Sequence, residues 1–182
     1  PVLPDPAGTT TVTVTGYVQD GSVLIAAIGW RLDNGNWTSL PGTFTQLKEN
    51  FSFNVGITAD GPHTVTVRGT NTAGGSAEGY DTFVIDRGTP SITLAGLSGV
   101  VGNDISVNGT ATDSITKVVD VEYKIDTGGW VSALAVDGEF DEATETFTMA
   151  IVELAEGTHT LTARAIDEVG NYSSEIIRIF CV

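Results

Sequence analysis

Half of this chain is a copy of the other half, and no other feature constrains the fold as much. Gly16-Tyr-Val-Gln-Asp20 and Trp30-Arg-Leu-Asp33-Asn-Gly35-Asn-Trp37 recur as Gly109-Thr-Ala-Thr-Asp113 and Tyr123-Lys-Ile-Asp126-Thr-Gly128-Gly-Trp130, with matched residues 93 positions apart. Farther on, Gly61-Pro-His63-Thr-Val-Thr-Val-Arg68 recurs as Gly157-Thr-His159-Thr-Leu-Thr-Ala-Arg164, now 96 apart. The 182 residues therefore read as two modules, 1–88 and 89–182. Each is close to the roughly 100 residues of a self-sufficient β-sandwich. The change of offset places an insertion between Trp130 and Gly157, and the acidic stretch Asp137 to Glu145 is its expected home because loops tolerate extra length.

Within each module apolar and polar residues alternate with the period of two that marks half-buried strands. Val12 and Val14 sit between threonines, and Ile28, Trp30 and Leu32, Phe51 and Phe53, and Val65 and Val67 continue the pattern. Ile105 and Val107, Val121, Tyr123 and Ile125, Phe147 and Met149, and Leu161, Ala163 and Ala165 take the same inward positions in the second module, with Glu122, Lys124 and Arg164 outward. No segment sustains a 3.6-residue period between caps, so the chain is predicted to be all-β. Asp33-Asn-Gly35 and Asp126-Thr-Gly128 are expected hairpin turns, with glycine taking positive φ and aspartate accepting a backbone N–H. Asn71 to Gly74 and Asp167 to Gly170 repeat that logic, so turn chemistry alone accounts for these aspartates.

The run from Leu154 through His159, Arg164, Asp167 and Gly170 to Ser173, together with the hairpin from Tyr123 to Trp130, resembles the bacterial Ig-like and fibronectin III-like modules of large secreted and surface proteins. The likeness covers both modules. It implies two tandem immunoglobulin-like sandwiches joined by the short linker Asp86-Arg-Gly-Thr-Pro90, with Trp30 and Tyr123 filling the core position of strand C. His63 and His159 fall near the place where fibronectin-type modules put the tyrosine that ties the E–F corner. Such modules serve as spacers, adhesin stalks and accessory domains of extracellular enzymes. The resemblance thus implies a bacterial or archaeal protein of the cell surface or exterior, with other modules of the same parent chain as neighbours.

Charge narrows the partners. Residues 1–88 carry 8 acids against 4 bases and residues 89–182 carry 15 against 4, a net charge of -15. That charge repels phosphate backbones and anionic membrane surfaces, which argues against nucleic-acid or membrane partners. It also discourages edge-to-edge pairing of copies, so a monomer is expected. No apolar run approaches the ~20 residues that span a bilayer, and the chain reads as a mature piece of a longer protein. The single cysteine, Cys181, leaves the fold without an intrachain disulfide.

No phosphate loop, His-Glu-x-x-His helix or nucleophile elbow occurs, so the chain is not expected to be an enzyme and no cofactor is required. The two histidines occupy equivalent positions in separate modules, which fits a corner residue better than a metal site. Calcium is the sharpest functional expectation, the alternative being that Arg87 or solvent alone neutralises the acidic cluster. The sandwich topology gathers Asp60, Asp86, Asp113, Asp167 and Glu168 around the linker, and calcium takes several hard oxygen ligands. Trp37 and Trp130 offer a second site class, in which indole rings stack on a glycan; the alternative is that each packs across its own hairpin. A surface protein or glycan is the corresponding external partner.

Overall fold

A computed structural model describes residues 11–97 and 99–182; the first ten residues of the expected first module lie outside the described residues. The chain divides into two compact units between Ile85 and Asp86. In the first unit the strands are β1 (Thr11–Gln19), β2 (Ile25–Leu32), β3 (Thr38–Ser39), β4 (Lys48–Gly56), β5 (Gly61–Asn71) and β6 (Ser76–Ile85). In the second they are β7 (Ser91–Leu94), β8 (Ile105–Thr112), β9 (Val118–Ile125), β10 (Val131–Ser132), β11 (Leu134–Ala135), β12 (Thr144–Ile151), β13 (Thr158–Asp167) and β14 (Ile176–Cys181). The described residues contain no helix, as the absence of 3.6-residue periodicity predicts.

All named strand pairs are antiparallel. The second unit stacks a sheet ordered β11-β12-β8-β7 on one ordered β10-β9-β13-β14. The first unit has β3-β2-β5-β6 and, among the described residues, a β1-β4 pair. Alternation decides what each strand buries. Val12, Val14, Val55, Val65, Phe83 and Ile85 form the first core. Val107, Val121, Phe147, Met149, Leu161, Ala163, Ala165 and Phe180 dominate the second. Trp30 packs against the first core, stacked on Phe53 at 4.8 Å, and Tyr123 packs against the second while its hydroxyl donates to the Ala150 carbonyl. Both strand C expectations therefore hold.

The repeat extends to packing. Gly16 pairs across the ladder with Phe51, and Gly109 with Phe147, so each glycine leaves room for an aromatic ring on the facing strand. Elsewhere the same space is filled differently. A methyl on Gly69 would collide with Val18, and the positions equivalent to this pair in the second unit are Ala165 and Ala111. A large–small pair has become two small residues, which conserves volume as a packed interior requires.

One sequence expectation is corrected and another is narrowed. Positive φ at the hairpins belongs to Asp33 (52°) and Asp126 (51°), not to Gly35 or Gly128. The glycines are needed for close approach, since a Cβ there would lie 2.9 Å from the Leu32 carbonyl oxygen and 3.0 Å from that of Ile125. The insertion is bracketed by a range that overlaps the expected Asp137 to Glu145. Ala133 N–H bonds the Val121 carbonyl as Leu40 bonds Ile28, 93 apart, whereas Glu145 receives the N–H groups of Asp141 and Glu142 as Glu49 receives those of Thr45 and Gln46, 96 apart. The extra residues therefore fall between Ala133 and Asp141, where β11 forms. Glu145 is buried and holds a local turn, so the acidic stretch is not uniformly a solvated loop.

Gly109→Ala is expected to destabilise the second unit by about 1–3 kcal/mol, the cost of overpacking a filled core. Phe147 is fully buried and the backbone of Thr93 bars the other exit. Gly16→Ala is expected to cost less because its partner Phe51 is half-buried and can give way. Denaturant unfolding of the two variants measures the difference.

Candidate functional site

Three strand-end aspartates of the second unit converge. Asp86 precedes β7, Asp113 follows β8, and Asp167 ends β13. Their carboxylates each bring an oxygen within 4.8 Å of the others, and the residues are only 1%, 4% and 0% exposed. Each is placed there by a turn it holds. Asp86 Oδ1 accepts the Gly88 N–H, Asp113 Oδ1 accepts those of Ile115 and Thr116, and Asp167 Oδ1 accepts those of Val169 and Asn171. The second oxygens are partly served: the Thr116 hydroxyl donates to Asp86 Oδ2 at 2.6 Å and the Asn171 amide to Asp167 Oδ2 at 2.9 Å.

The first unit shows what the same corner does with different chemistry. Asp20 stands where Asp113 stands and again receives two backbone N–H groups, from Ser22 and Val23. Asn71 stands where Asp167 stands, receives the N–H groups of Ala73 and Gly75, and donates its amide to Asp20 Oδ2 at 3.0 Å. That donation, with the two backbone bonds, holds the Asp20 carboxyl down to about 2. In the second unit the amide is a carboxylate and a third carboxylate joins it. Burial pushes the Asp86 carboxyl up, against its bonds to Thr116 and Gly88, and the charges of Asp113 and Asp167 push it further.

The carboxylate cluster that could hold a metal ion contains three of the five expected calcium ligands and not Glu168 or Asp60. Glu168 is exposed and pairs with Lys117 at 3.6 Å, and its backbone N–H bonds the Lys117 carbonyl. Asp60 is exposed on the β4–β5 loop of the first unit. The gathered triad belongs wholly to the second unit, because Asp86 opens that unit.

The indoles of Trp37 and Trp130 are half-buried on the outer sheet faces with cations over their rings. The Arg68 and Arg31 guanidinium carbons lie 3.9 and 4.8 Å from the Trp37 ring centroid, and Arg164 and the Lys124 ammonium lie 4.1 and 4.5 Å from that of Trp130. Arg68 is anchored in turn by Glu78, and Arg164 by Glu122. A sugar would have to compete with these cations for the ring faces.

Sequence reasoning placed the two histidines at a corner and missed what they bind. His63 Nδ1 lies 3.0 Å from Asp33 Oδ2 and its Nε2 3.2 Å from the Ala59 carbonyl; His159 makes the same contacts with Asp126 and Ala155, both at 2.8 Å. The recurrence of Asp33 with His63 and Asp126 with His159 at equivalent repeat positions was the available signal.

The family comparison agrees with the architecture of the second unit. Residues 91–163 match the bacterial Ig domain family. The match covers less than half of the chain and most of the second unit, from β7 into β13, and it bears out the resemblance read from the sequence. No curated protein matches the sequence. Among solved structures, the fibronectin(III)-like modules of Clostridium thermocellum CbhA are 16% identical, with 100% of this chain and 90% of theirs covered and a TM-score of 0.48. The D00-D0 domain of intimin is 12% identical over 97% of this chain and 95% of its own, at a TM-score of 0.42. A tetra-tandem repeat in the extending region of a large adhesion protein is 19% identical over 97% and 47%, at 0.35.

The raised Asp86 carboxyl has a definite pH signature. The folded state holds that proton more tightly than the unfolded chain, so this group destabilises the second unit as pH rises through its folded value. Lowering the pH from 7 toward ~4, the ordinary aspartate value, should therefore stabilise the unit, and Asp86→Asn should remove that response and be the more stable protein at pH 7. Thermal unfolding of both proteins across this range checks it.

Proposed function

We propose that this chain is a non-catalytic structural or adhesive segment of a larger bacterial surface or secreted protein, serving as a spacer between other modules of that protein. The observation that supports this reading is that the conspicuous polar groups do the same structural task twice. Asp20 and Asp113 hold the turn after β1 and β8, Glu49 and Glu145 the turn before β4 and β12, and Asp33 and Asp126 the hairpin after β2 and β9. Residues that a reaction would need are thus committed to backbone N–H groups, and equally in both units. Deleting the segment from its parent should leave the parent's activity intact while shortening it; loss of adhesion to a surface instead would assign recognition to these modules, and loss of a catalytic activity would overturn the reading.

A second reading concerns the triad: Asp86, Asp113 and Asp167 hold a divalent cation, calcium by preference. It rests on the contrast between the units, since the first pairs Asp20 with an amide and the second sets three buried carboxylates together. The donor set fits. Carboxylates are the hard oxygens calcium takes, and they are already oriented by their turns. Bound there, calcium would supply the positive charge that the Asn71 amide supplies in part elsewhere. Calcium is expected to stabilise the second unit by about 2.7 kcal/mol at a hundredfold excess over its Kd. Asp113→Asn, which replaces a ligand with a donor amide, should abolish that response. Unfolding that is indifferent to millimolar calcium would leave the triad as three turn-holding carboxylates.

A further inference from the structure

We propose that His159 is a doubly protonated staple that joins the β9–β10 turn to the loop between β12 and β13 and gives up its own hold on that loop as pH rises. Both ring nitrogens face acceptors. Nδ1 lies 2.8 Å from the Asp126 carboxylate and Nε2 lies 2.8 Å from the Ala155 carbonyl. A carboxylate and a carbonyl only accept, and neutral imidazole carries one N–H, so one of these contacts is a hydrogen bond and the other a lone-pair clash unless the ring is imidazolium.

The surroundings hold the ring in that position. Asp126 cannot turn away, because its backbone sits at φ 51° in the hairpin and its other oxygen accepts the Thr160 N–H at 2.8 Å. The imidazole is 13% exposed, and its centroid lies 5.8 Å from that of Phe180 on β14. Of the elements around it, the β9–β10 turn contributes Asp126, the loop before β13 contributes the Ala155 carbonyl, and β14 contributes an uncharged ring. Asp126 is the charged group that acts on it, and its bond, followed by that to Ala155, raises the imidazole above its ordinary value against the cost of burial. The reciprocal effect lowers Asp126, chiefly through the same bond.

The sign of the pH dependence follows. With its folded value raised, His159 contributes stability that is complete below the unfolded value of ~6.5 and is lost as pH rises through the folded value. The proton that leaves to water is the one on Nε2, since the carboxylate retains its partner on Nδ1. The Nε2 lone pair then opposes the Ala155 carbonyl, and the loop loses this tie while keeping those from the Glu153 N–H to Asp104 and from the Leu154 N–H to the Asn103 carbonyl. The same geometry recurs in the first unit at His63, Asp33 and Ala59.

Nitrogen-15 NMR of the histidine rings in the full chain tests this directly, with His159→Gln identifying the resonances. Both His159 nitrogens should remain mostly protonated at pH ~6.5, where a free imidazole is half neutral. Asp126→Asn is the matched variant: asparagine also adopts the left-handed turn, still accepts the Thr160 N–H, and offers Nδ1 a donor, so a neutral ring satisfies every contact. Between pH 6.5 and the folded titration point, the wild-type unfolding constant should rise by up to about tenfold per pH unit for the one proton released. Asp126→Asn should lack that component. A His159 ring that is half neutral at or below pH ~6.5, or wild type and variant with the same pH slope, would overturn the proposal.

Discussion

A sandwich without a disulfide must reverse its chain at every strand end, and each reversal leaves backbone N–H groups outside the ladders. Most of what is distinctive here follows from how those groups are satisfied. Asp20, Glu49 and Asn71 in the first unit, and Asp113, Glu145 and Asp167 in the second, each receive two backbone N–H groups from the turn beside them. Where such an N–H is buried, as at Thr116, leaving it unmet costs about 1–3 kcal/mol, so there the side chain matters to the fold as its apolar core does. Their acidity is a consequence of the task, because a carboxylate accepts two or more N–H groups better than any neutral side chain.

The same task, carried out by several carboxylates at one pole, creates the chemistry of the second unit. Where the first unit faces Asp20 with the Asn71 amide, the second faces Asp113 with Asp86 and Asp167. Each carboxylate is locally well placed, but burial raises Asp86 and its two charged neighbours raise it further. The opposite balance holds at the hairpins, where Asp33 and Asp126 meet a histidine that can carry positive charge. One residue type, set at a turn for backbone reasons, is thus a liability at one corner and half of an ion pair at another. Packing shows the same freedom within a fixed plan, as Val18 with Gly69 gives way to Ala111 with Ala165.

Strand positions, the two-module plan and the corner role of the histidines were legible in the residues because they depend on periodicity and repetition, which are one-dimensional. The calcium candidates were legible in part. Asp86, Asp113 and Asp167 lie at strand ends that topology brings together, whereas Glu168, one residue past Asp167, turns to Lys117. Spacing from glycine identified the hairpins and misassigned their positive φ, since Gly35 and Gly128 are required by nearby carbonyl oxygens and the aspartates before them carry the unusual backbone.

By itself, then, the sequence determined that the chain folds as two all-β modules on one plan, because a repeat of alternating apolar residues has no other way to bury itself. Tertiary structure alone decided which polar groups face each other. Asp126 is 33 residues from His159, and Asp86 is 81 residues from Asp167. Whether such groups share a corner depends on strand order and register, and the protonation of each depends on the burial and the neighbours that only the folded chain supplies.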